Sequence, residues 1–323
     1  MDRLRRLGNT DIKVAAIAYG CMGQTHSYGK VQEKDSMVEL LRYAYETGYT
    51  MFDTAPAYGD LNEQFLGEAV KPFRNRVVIA TKFGILHMQD SGAGMELSSG
   101  HDSIMKQVDE SLTRLGTDYI DLYYQHRPDP EVAPEEVAET MKELFKAGKI
   151  RAWGVSFGEP DYLKRAHKVF PLAAIENMYN FVDRGDEAVY FPLCEELGIS
   201  YVSACPLAKG LLSGRLNKNS TYREGDWRGR MALFNEESMD KNAPLLELLS
   251  ELAEKKHATP AQISLAWEIT KKPYIIPIPG TTKKERVREN IGGMDVELTG
   301  QDMLDIEEAL GHMDIIGMHS YTA

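Results

Sequence analysis

The 323-residue sequence has only three cysteines, Cys21, Cys194 and Cys205. They are too few and too scattered to predict a disulfide framework or a CxxC-type metal motif, and they favour a reducing compartment. Long apolar runs are also missing. No uninterrupted apolar segment reaches about 18 residues, and the N-terminus lacks an apolar run of signal length. We therefore expect a cytoplasmic protein with no membrane partner.

Positive charge is in deficit as well. The chain has 37 Lys and Arg against 49 Asp and Glu, which gives a formal net charge of −12. Nucleic acids and anionic membrane surfaces require a positive protein face to offset their phosphates. We expect neither as a partner.

The sequence does contain a regular alternation of short apolar runs and longer amphipathic segments. The runs predict eight strands, at residues 14–20, 50–53, 77–81, 120–125, 152–155, 173–176, 200–204 and 274–278. Alternation of this kind is typical of parallel strands joined by crossover helices, and no linker or break in composition divides it. It predicts an α/β protein that forms a single (β/α)8 TIM barrel domain over residues 1–323.

Flanking and connecting segments add detail to this barrel. Residues 3–13, with Gly8 and Asn9 as the turn, predict a short N-terminal β-hairpin. Residues 87–100 and 213–242 lack periodicity and predict long loops at the C-terminal face, where loops usually serve a site. Ser36 with Glu39 predicts a helix start through a capping box, and Thr259 before Pro260 predicts another.

Polar residues follow three consecutive predicted strands. Asp53, Lys82 and His126 close the second, third and fourth strands, and Tyr58 follows Asp53 by five residues. Each alone is ordinary, because a strand-end Asp often caps a helix and a lone Lys is usually solvated. Together they would meet on one rim of a barrel, where a Lys–Asp pair beside a phenol is expected to lower the phenol's pKa. Tyr58 is then a candidate general acid, and His126 a donor that holds a carbonyl oxygen.

Reduction of a carbonyl needs a hydride source, which no side chain supplies, so the site implies a cofactor. The GxGxxG motif of dinucleotide-binding sheets is absent. The barrel offers another route, because the loops after strands seven and eight commonly bind phosphate. Here Gly280, Thr281 and Thr282 lead into a helix start that carries Lys283 and Arg286, and free amides at a helix start bind phosphate.

With these residues in place, the whole chain resembles the aldo-keto reductases. The shared segments, in order and at that family's spacing, are RLGNTDIKV, GCMG, FDTAPAYG, IATKFG, YYQHRPDP, WGVS, PLAKGLLSG and IPGTTKKERVREN. The resemblance implies a catalytic tetrad of Asp53, Tyr58, Lys82 and His126, with NADPH as the hydride source and an aldehyde or ketone as the substrate. GCMG, the His-Arg pair and EGDWRGRMALFNEESMDKN are similar to the bacterial and plant branch that reduces miscellaneous carbonyl compounds.

The resemblance also implies which residues bind the ligands. Ser156 matches a ligand of the nicotinamide carboxamide, and Arg286, Glu289 and Asn290 match positions that hold the 2′-phosphate and adenine. A guanidinium there favours NADP over NAD. The full coenzyme set is Gly20, Cys21, Met22, Asp53, Ser156, Glu176, Ala204, Cys205, Pro206, Leu207, Lys209, Gly210, Leu212, Ile278, Gly280, Thr281, Thr282, Lys283, Arg286, Glu289 and Asn290. The substrate set is Met22, Tyr58, His126 and Arg127, and no metal is expected.

Three positions depart from the family pattern, all at the nicotinamide end. Phe157 replaces a frequent Asn, Glu176 replaces a common Gln, and Ala204 replaces the aromatic residue that usually stacks on the nicotinamide. An ionised Glu176 accepts hydrogen bonds from the carboxamide but cannot donate one. These departures predict weaker nicotinamide binding.

Other functions remain open on the residues alone. A metal-dependent barrel hydrolase would use Asp53 and His126 as ligands, but the first strand has none of the histidines that such sites generally need. A glycosidase would use Asp53 and Glu176 as paired carboxylates and would leave Lys82 without a role. An NADP(H)-binding redox-sensing or regulatory protein with little turnover is the remaining alternative. The sequence indicates neither the substrate nor the oligomeric state.

Overall fold

The structure, a computed structural model, describes residues 3–88 and 94–317. Its strands are β1 (Leu4–Arg6), β2 (Lys13–Ala15), β3 (Tyr19–Gly20), β4 (Met51–Asp53), β5 (Val78–Phe83), β6 (Ile85–Met88), β7 (Met95–Leu97), β8 (Ile120–Gln125), β9 (Ile150–Ser156), β10 (Ala174–Met178), β11 (Ser200–Ala204) and β12 (Ile275–Pro277). Its helices are α1 (Lys34–Glu46), α2 (Asp60–Val70), α3 (His101–Leu115), α4 (Pro134–Lys146), α5 (Pro160–Val169), α6 (Tyr190–Leu197), α7 (Glu236–Lys256), α8 (Pro260–Lys271), α9 (Lys284–Ile291) and α10 (Gly300–Gly311). None of these helices is both long and apolar enough to cross a membrane.

Eight parallel strands form the central sheet, in the order β3, β4, β5, β8, β9, β10, β11, β12. The two edges of this sheet meet, because Gly20 pairs with Gly280 and the amide of Ala18 donates to the carbonyl of Pro277 at 2.9 Å. A Cβ on Gly20 would lie 2.6 Å from the carbonyl oxygen of Ile278, so only glycine permits this approach. The predicted (β/α)8 barrel is confirmed.

The N-terminal hairpin is present, but its second strand lies later than predicted. β1 pairs antiparallel with β2, so Val14 and Ala15 belong to the hairpin, and the first barrel strand is limited to Tyr19–Gly20. The hairpin covers the N-terminal end of the barrel. Leu7, Ile12 and Val14 pack there against side chains from the barrel strands, which leaves the opposite end open for a site.

Two predicted segments contain more regular structure than expected. Part of segment 87–100 lies in β6 and β7, which form a second hairpin, while residues 89–93 fall outside the described residues. Segment 213–242 contains short 3-10 turns at Trp227–Arg230 and Ala232–Phe234 and then the start of α7. Both segments lie at the C-terminal ends of the barrel strands, because they follow β5 and β11 in the chain.

Helix starts agree with the sequence in one of two cases. Thr259 caps α8 with Pro260 in the first turn, as predicted, and it also forms a capping box with Gln262. The prediction for Ser36 was wrong, because α1 begins at Lys34 and Ser36 lies within its first turn.

Candidate active site

The centre of the site is a buried ammonium in contact with two carboxylates. Nζ of Lys82 lies 2.5 Å from Oδ1 of Asp53 and 3.3 Å from Oε2 of Glu176, and it donates to the carbonyl of Thr54 at 3.1 Å. The side chains of Lys82, Asp53 and Glu176 are 0%, 2% and 5% exposed. They come from β5, β4 and β10, so the barrel brings together residues far apart in the sequence.

Tyr58 lies beside this cluster. It ends a one-turn 3-10 helix, Pro56–Tyr58, and its backbone is held because Thr25 Oγ1 donates to the carbonyl of Tyr58 at 2.8 Å. The Tyr58 ring centre is 5.5 Å from Nζ of Lys82. His126, just beyond β8, presents its ring edge-on to Tyr58 at 5.9 Å between ring centres. The structure therefore brings all four predicted catalytic residues together.

Asp53 holds its proton near neutral pH. Burial and the neighbouring Glu176 charge raise the pKa of Asp53 to about 8, although Lys82 opposes the shift. For Lys82, burial alone would lower the pKa, but Asp53 and Glu176 raise it above its ordinary value. The ammonium therefore stays charged.

The predicted lowering of the phenol's pKa is wrong. Burial raises the pKa of Tyr58 above its ordinary value; Lys82 lowers it, but Asp53 and Glu176 raise it further. The ammonium is offset by carboxylates, so desolvation dominates and Tyr58 keeps its proton. Burial, Lys82 and Arg127 together hold the pKa of His126 well below its usual range. The imidazole is therefore neutral at pH 7.

A cavity of about 460 Å³ opens from Tyr58 along the barrel mouth. The predicted coenzyme residues that line it are Gly20, Met22, Asp53, Glu176, Ala204, Cys205, Pro206, Leu207, Lys209, Gly210, Ile278, Gly280, Thr281, Thr282, Lys283, Arg286, Glu289 and Asn290. Cys21, Ser156 and Leu212 are fully buried and do not line it.

The two ends of the cavity differ in charge. Asp53 and Glu176 mark the inner end, whereas Lys283 and Arg286 border the outer end at the start of α9. Among the residues that line the cavity, Asn290 has a buried Nδ2 atom without a hydrogen-bond partner among the described residues. Buried polar groups are normally paired, so this atom indicates a ligand contact at the outer end. The cavity fits an extended molecule that carries phosphate at its outer end.

Sequence reasoning missed several residues of the cavity wall. These are Gly23, Tyr28, Gln32, Ser213, Arg215, Thr221, Arg223, Asp226, Arg228, Ala261 and Pro279. Segment 213–242, predicted from sequence only as a long loop at the C-terminal face, contributes Arg215, Arg223 and Arg228 to the wall of this cavity. Its basic residues were the available signal, but their location depends on tertiary contacts such as the bridge between Tyr28 and Asp226.

Arg127 lies in a neighbouring groove rather than in the cavity. Its guanidinium stacks 3.7 Å from the centre of the Phe157 ring, and Met95 and Leu97 of β7 border the same groove. Phe157 has a φ of +56°, and its amide donates to Oδ1 of Asn177 at 2.9 Å.

Comparison with known proteins gives a consistent result. Residues 16–310 match the model of the Aldo/keto reductase family. The chain is 35% identical over 318 residues to "Probable aldo-keto reductase 1" of Glycine max, a match that covers 98% of this chain and 91% of that protein.

Solved structures agree with this match. The glycerol dehydrogenase of Gluconobacter oxydans has a TM-score of 0.88 at 26% identity, over 97% of both chains. An aldo/keto reductase from Klebsiella pneumoniae, solved in complex with NADP and acetate, has a TM-score of 0.74 at 26% identity, over 98% of this chain and 99% of that one.

Proposed function

The chain belongs to the aldo/keto reductase family, and on that premise we propose that it reduces an aldehyde or ketone to an alcohol with NADPH. Such an enzyme is an NADP-dependent oxidoreductase, with residues 1–323 acting as one barrel domain. The observation that carries the proposal is the Lys82 ammonium, buried between two carboxylates and 5.5 Å from the Tyr58 ring.

Tyr58 is the proposed general acid. A bound NADPH would be the source of the hydride for the carbonyl carbon, and the Tyr58 hydroxyl gives its proton to the carbonyl oxygen. Its raised pKa keeps that proton in place until negative charge develops on the substrate oxygen. Lys82 then stabilises the resulting phenolate, and Asp53 holds Lys82 through the 2.5 Å contact. Neutral His126 can donate one ring N–H to the substrate oxygen without adding a charge.

The coenzyme would occupy the cavity between the acidic and basic ends. The amides and hydroxyls of Thr281 and Thr282, with Lys283 and Arg286, are suited to phosphate. Ser156 and Glu176 would hold the nicotinamide carboxamide. The substrate would lie between Met22, Tyr58, His126 and Arg127, at the junction of the cavity and the neighbouring groove.

The test combines coenzyme binding with turnover. We expect NADPH to quench the protein fluorescence of the wild type and of Tyr58→Phe with similar dissociation constants. We expect the wild type to oxidise NADPH with members of a panel of aldehydes, ketones and quinones. Tyr58→Phe should lose a factor of about 10² to 10⁴ in kcat, the usual contribution of a general acid. NADPH binding without turnover on any carbonyl would instead indicate a redox-sensing or regulatory protein.

A further inference from the structure

Glu176 adds a second carboxylate to a cluster that has one contacting cation. Its Oε2 lies 3.3 Å from Nζ of Lys82, which also contacts Asp53. Oδ2 of Asp53 has no hydrogen-bond partner among the described residues, and Oε2 of Glu176 has none beyond this ion pair, although both residues line the cavity. At contact distance, two carboxylates therefore share one ammonium at the inner end.

Other titratable groups act on Glu176 from farther away. These more distant groups are Tyr124 of β8, Tyr58 and Arg127. The nearer groups are Asp53 of β4 and Lys82 of β5. The two phenols are neutral at pH 7. Arg127 is cationic, but its guanidinium stacks on the ring of Phe157. Among the described residues, Arg127 forms no ion pair with Glu176 within 4 Å. Arg127 therefore offsets the second carboxylate only in part.

The opposite end of the cavity has the opposite charge. Arg286 has no carboxylate within ion-pair distance among the described residues and borders the cavity with Lys283. Such a cavity complements a ligand with phosphates at one end and a cationic ring at the other. The two forms of the coenzyme differ in this respect, because the nicotinamide ring is cationic in NADP⁺ and uncharged in NADPH.

We propose that Glu176 makes the coenzyme site favour NADP⁺ over NADPH, because its carboxylate lines the end of the cavity where Tyr58 lies. This inference rests on the proposed function, since it takes NADP(H) as the ligand. A glutamine of the same shape would leave one carboxylate against one ammonium, with no excess negative charge. Glu176 thus sets the relative affinity for the two forms, while Tyr58 performs the proton transfer.

The preference for NADP⁺ over NADPH depends on pH, because the charge of the cluster changes when Asp53 loses its proton. The pKa of Asp53 is raised to about 8 by burial and by Glu176. Below that pH Asp53 retains its proton and the cluster is close to neutral; above it, Asp53 is ionised and the cluster is negative. NADP⁺ should therefore bind more tightly as pH rises through about 8, and the uncharged ring of NADPH should respond less. Titration of the 2′-phosphate is common to both forms and cancels in their ratio.

The test measures the dissociation constants of NADP⁺ and NADPH at pH 6 and pH 9 by titration calorimetry. For the wild type we expect the ratio Kd(NADPH)/Kd(NADP⁺) to rise about tenfold between these pH values, since a nearby unit charge in a protein is worth at least that much. Glu176→Gln should abolish the rise. Glu159→Gln is the matched control, because it removes the same charge from an exposed position beside the neighbouring groove. In this control variant the ratio should rise between pH 6 and pH 9 as it does in the wild type.

Two outcomes would overturn the inference while the proposed function stands. One is a Glu176→Gln ratio that equals the wild-type ratio at both pH values. The other, which needs no variant that might misfold, is equal proton release on binding of NADP⁺ and NADPH to the wild type in weak buffer at pH 8; we expect NADP⁺ alone to release protons. A wild type that binds neither form would refute the proposed function itself.

Discussion

The ε-ammonium of Lys82 lies 2.5 Å from Oδ1 of Asp53, and neither side chain has appreciable contact with solvent. Burial of the ammonium is costly, and it is tolerated because the acidic side chains of Asp53 and Glu176 both contact it. The contact therefore links the stability of the barrel to its proposed chemistry. A change at either residue should affect both properties.

Lys82→Met should destabilise the protein and abolish turnover. Removal of the ammonium leaves the Asp53 and Glu176 carboxyls buried without a cation, and loss of one partner of a buried pair typically costs about 3–5 kcal/mol. Urea unfolding at pH 7 measures the loss. The double variant Lys82→Met with Asp53→Asn should regain part of it. An unfolding midpoint equal to that of the wild type would contradict the role given to the ammonium.

Asp53→Asn should change how stability depends on pH. The pKa of Asp53 is about 8 in the folded protein against 3.8 for the free side chain, so the folded state binds the additional proton between these values. The protonated Asp53 side chain therefore contributes to the free energy of unfolding. This contribution is fully present below about pH 4 and is lost as the pH rises through 8. The variant should therefore gain stability relative to the wild type over this range, measured by urea unfolding at pH 5, 7 and 9. Asp118→Asn, at an exposed position, should show no such trend.

The sequence predicted both the barrel and the proximity of the four proposed catalytic residues for the same reason. Asp53, Lys82 and His126 directly follow apolar runs, and parallel strands in a barrel bring their carboxyl ends to one rim. No distance is needed for that inference. The alternation of strands and helices was sufficient for both.

Other features depended on distances that the sequence does not contain. Val14 and Ile17 are both apolar, so hydrophobicity could not show that the hairpin ends between them. The pKa of Tyr58 depends on burial and on the positions of one ammonium and two carboxylates, and only their geometry gave the sign. Arg223 reaches the coenzyme cavity from a segment without periodicity, whose course is set by long-range contacts.

Gly67→Ala should destabilise the packing of α2 against the end of α3. A Cβ at this position would lie 2.2 Å from the carbonyl oxygen of Leu115, a backbone atom that cannot move independently. Overpacking of this kind typically costs about 1–3 kcal/mol. Thermal unfolding should show the loss, whereas Gly300→Ala, where nothing lies within 4 Å of the added Cβ, should be neutral or slightly stabilising. Equal melting temperatures for the two variants would contradict the packing argument.

Ala204→Tyr should strengthen coenzyme binding. Ala204 ends β11 and lines the inner end of the cavity, where an aromatic ring could stack on the nicotinamide. Stacked aromatic pairs contribute about 0.5–1.5 kcal/mol beyond their buried area, so NADPH should bind a few-fold more tightly. Fluorescence titration with NADPH measures the change. An unchanged dissociation constant would show that stacking at this position adds nothing.

Arg286→Ala should weaken NADPH much more than NADH. Arg286 borders the outer end of the cavity and has no carboxylate partner among the described residues, so its guanidinium is available to a phosphate dianion. A charged hydrogen bond contributes about 1.5–3 kcal/mol, which corresponds to a loss of about ten- to a hundredfold for NADPH alone. Arg288→Ala is the matched control, because Arg288 lies on the same helix but places its guanidinium over the ring of Tyr43, and it should leave both coenzymes unaffected. Equal losses for NADPH and NADH in Arg286→Ala would remove the physical basis for preferring the phosphorylated coenzyme, since a residue that contacts only the 2′-phosphate cannot affect a ligand that lacks it.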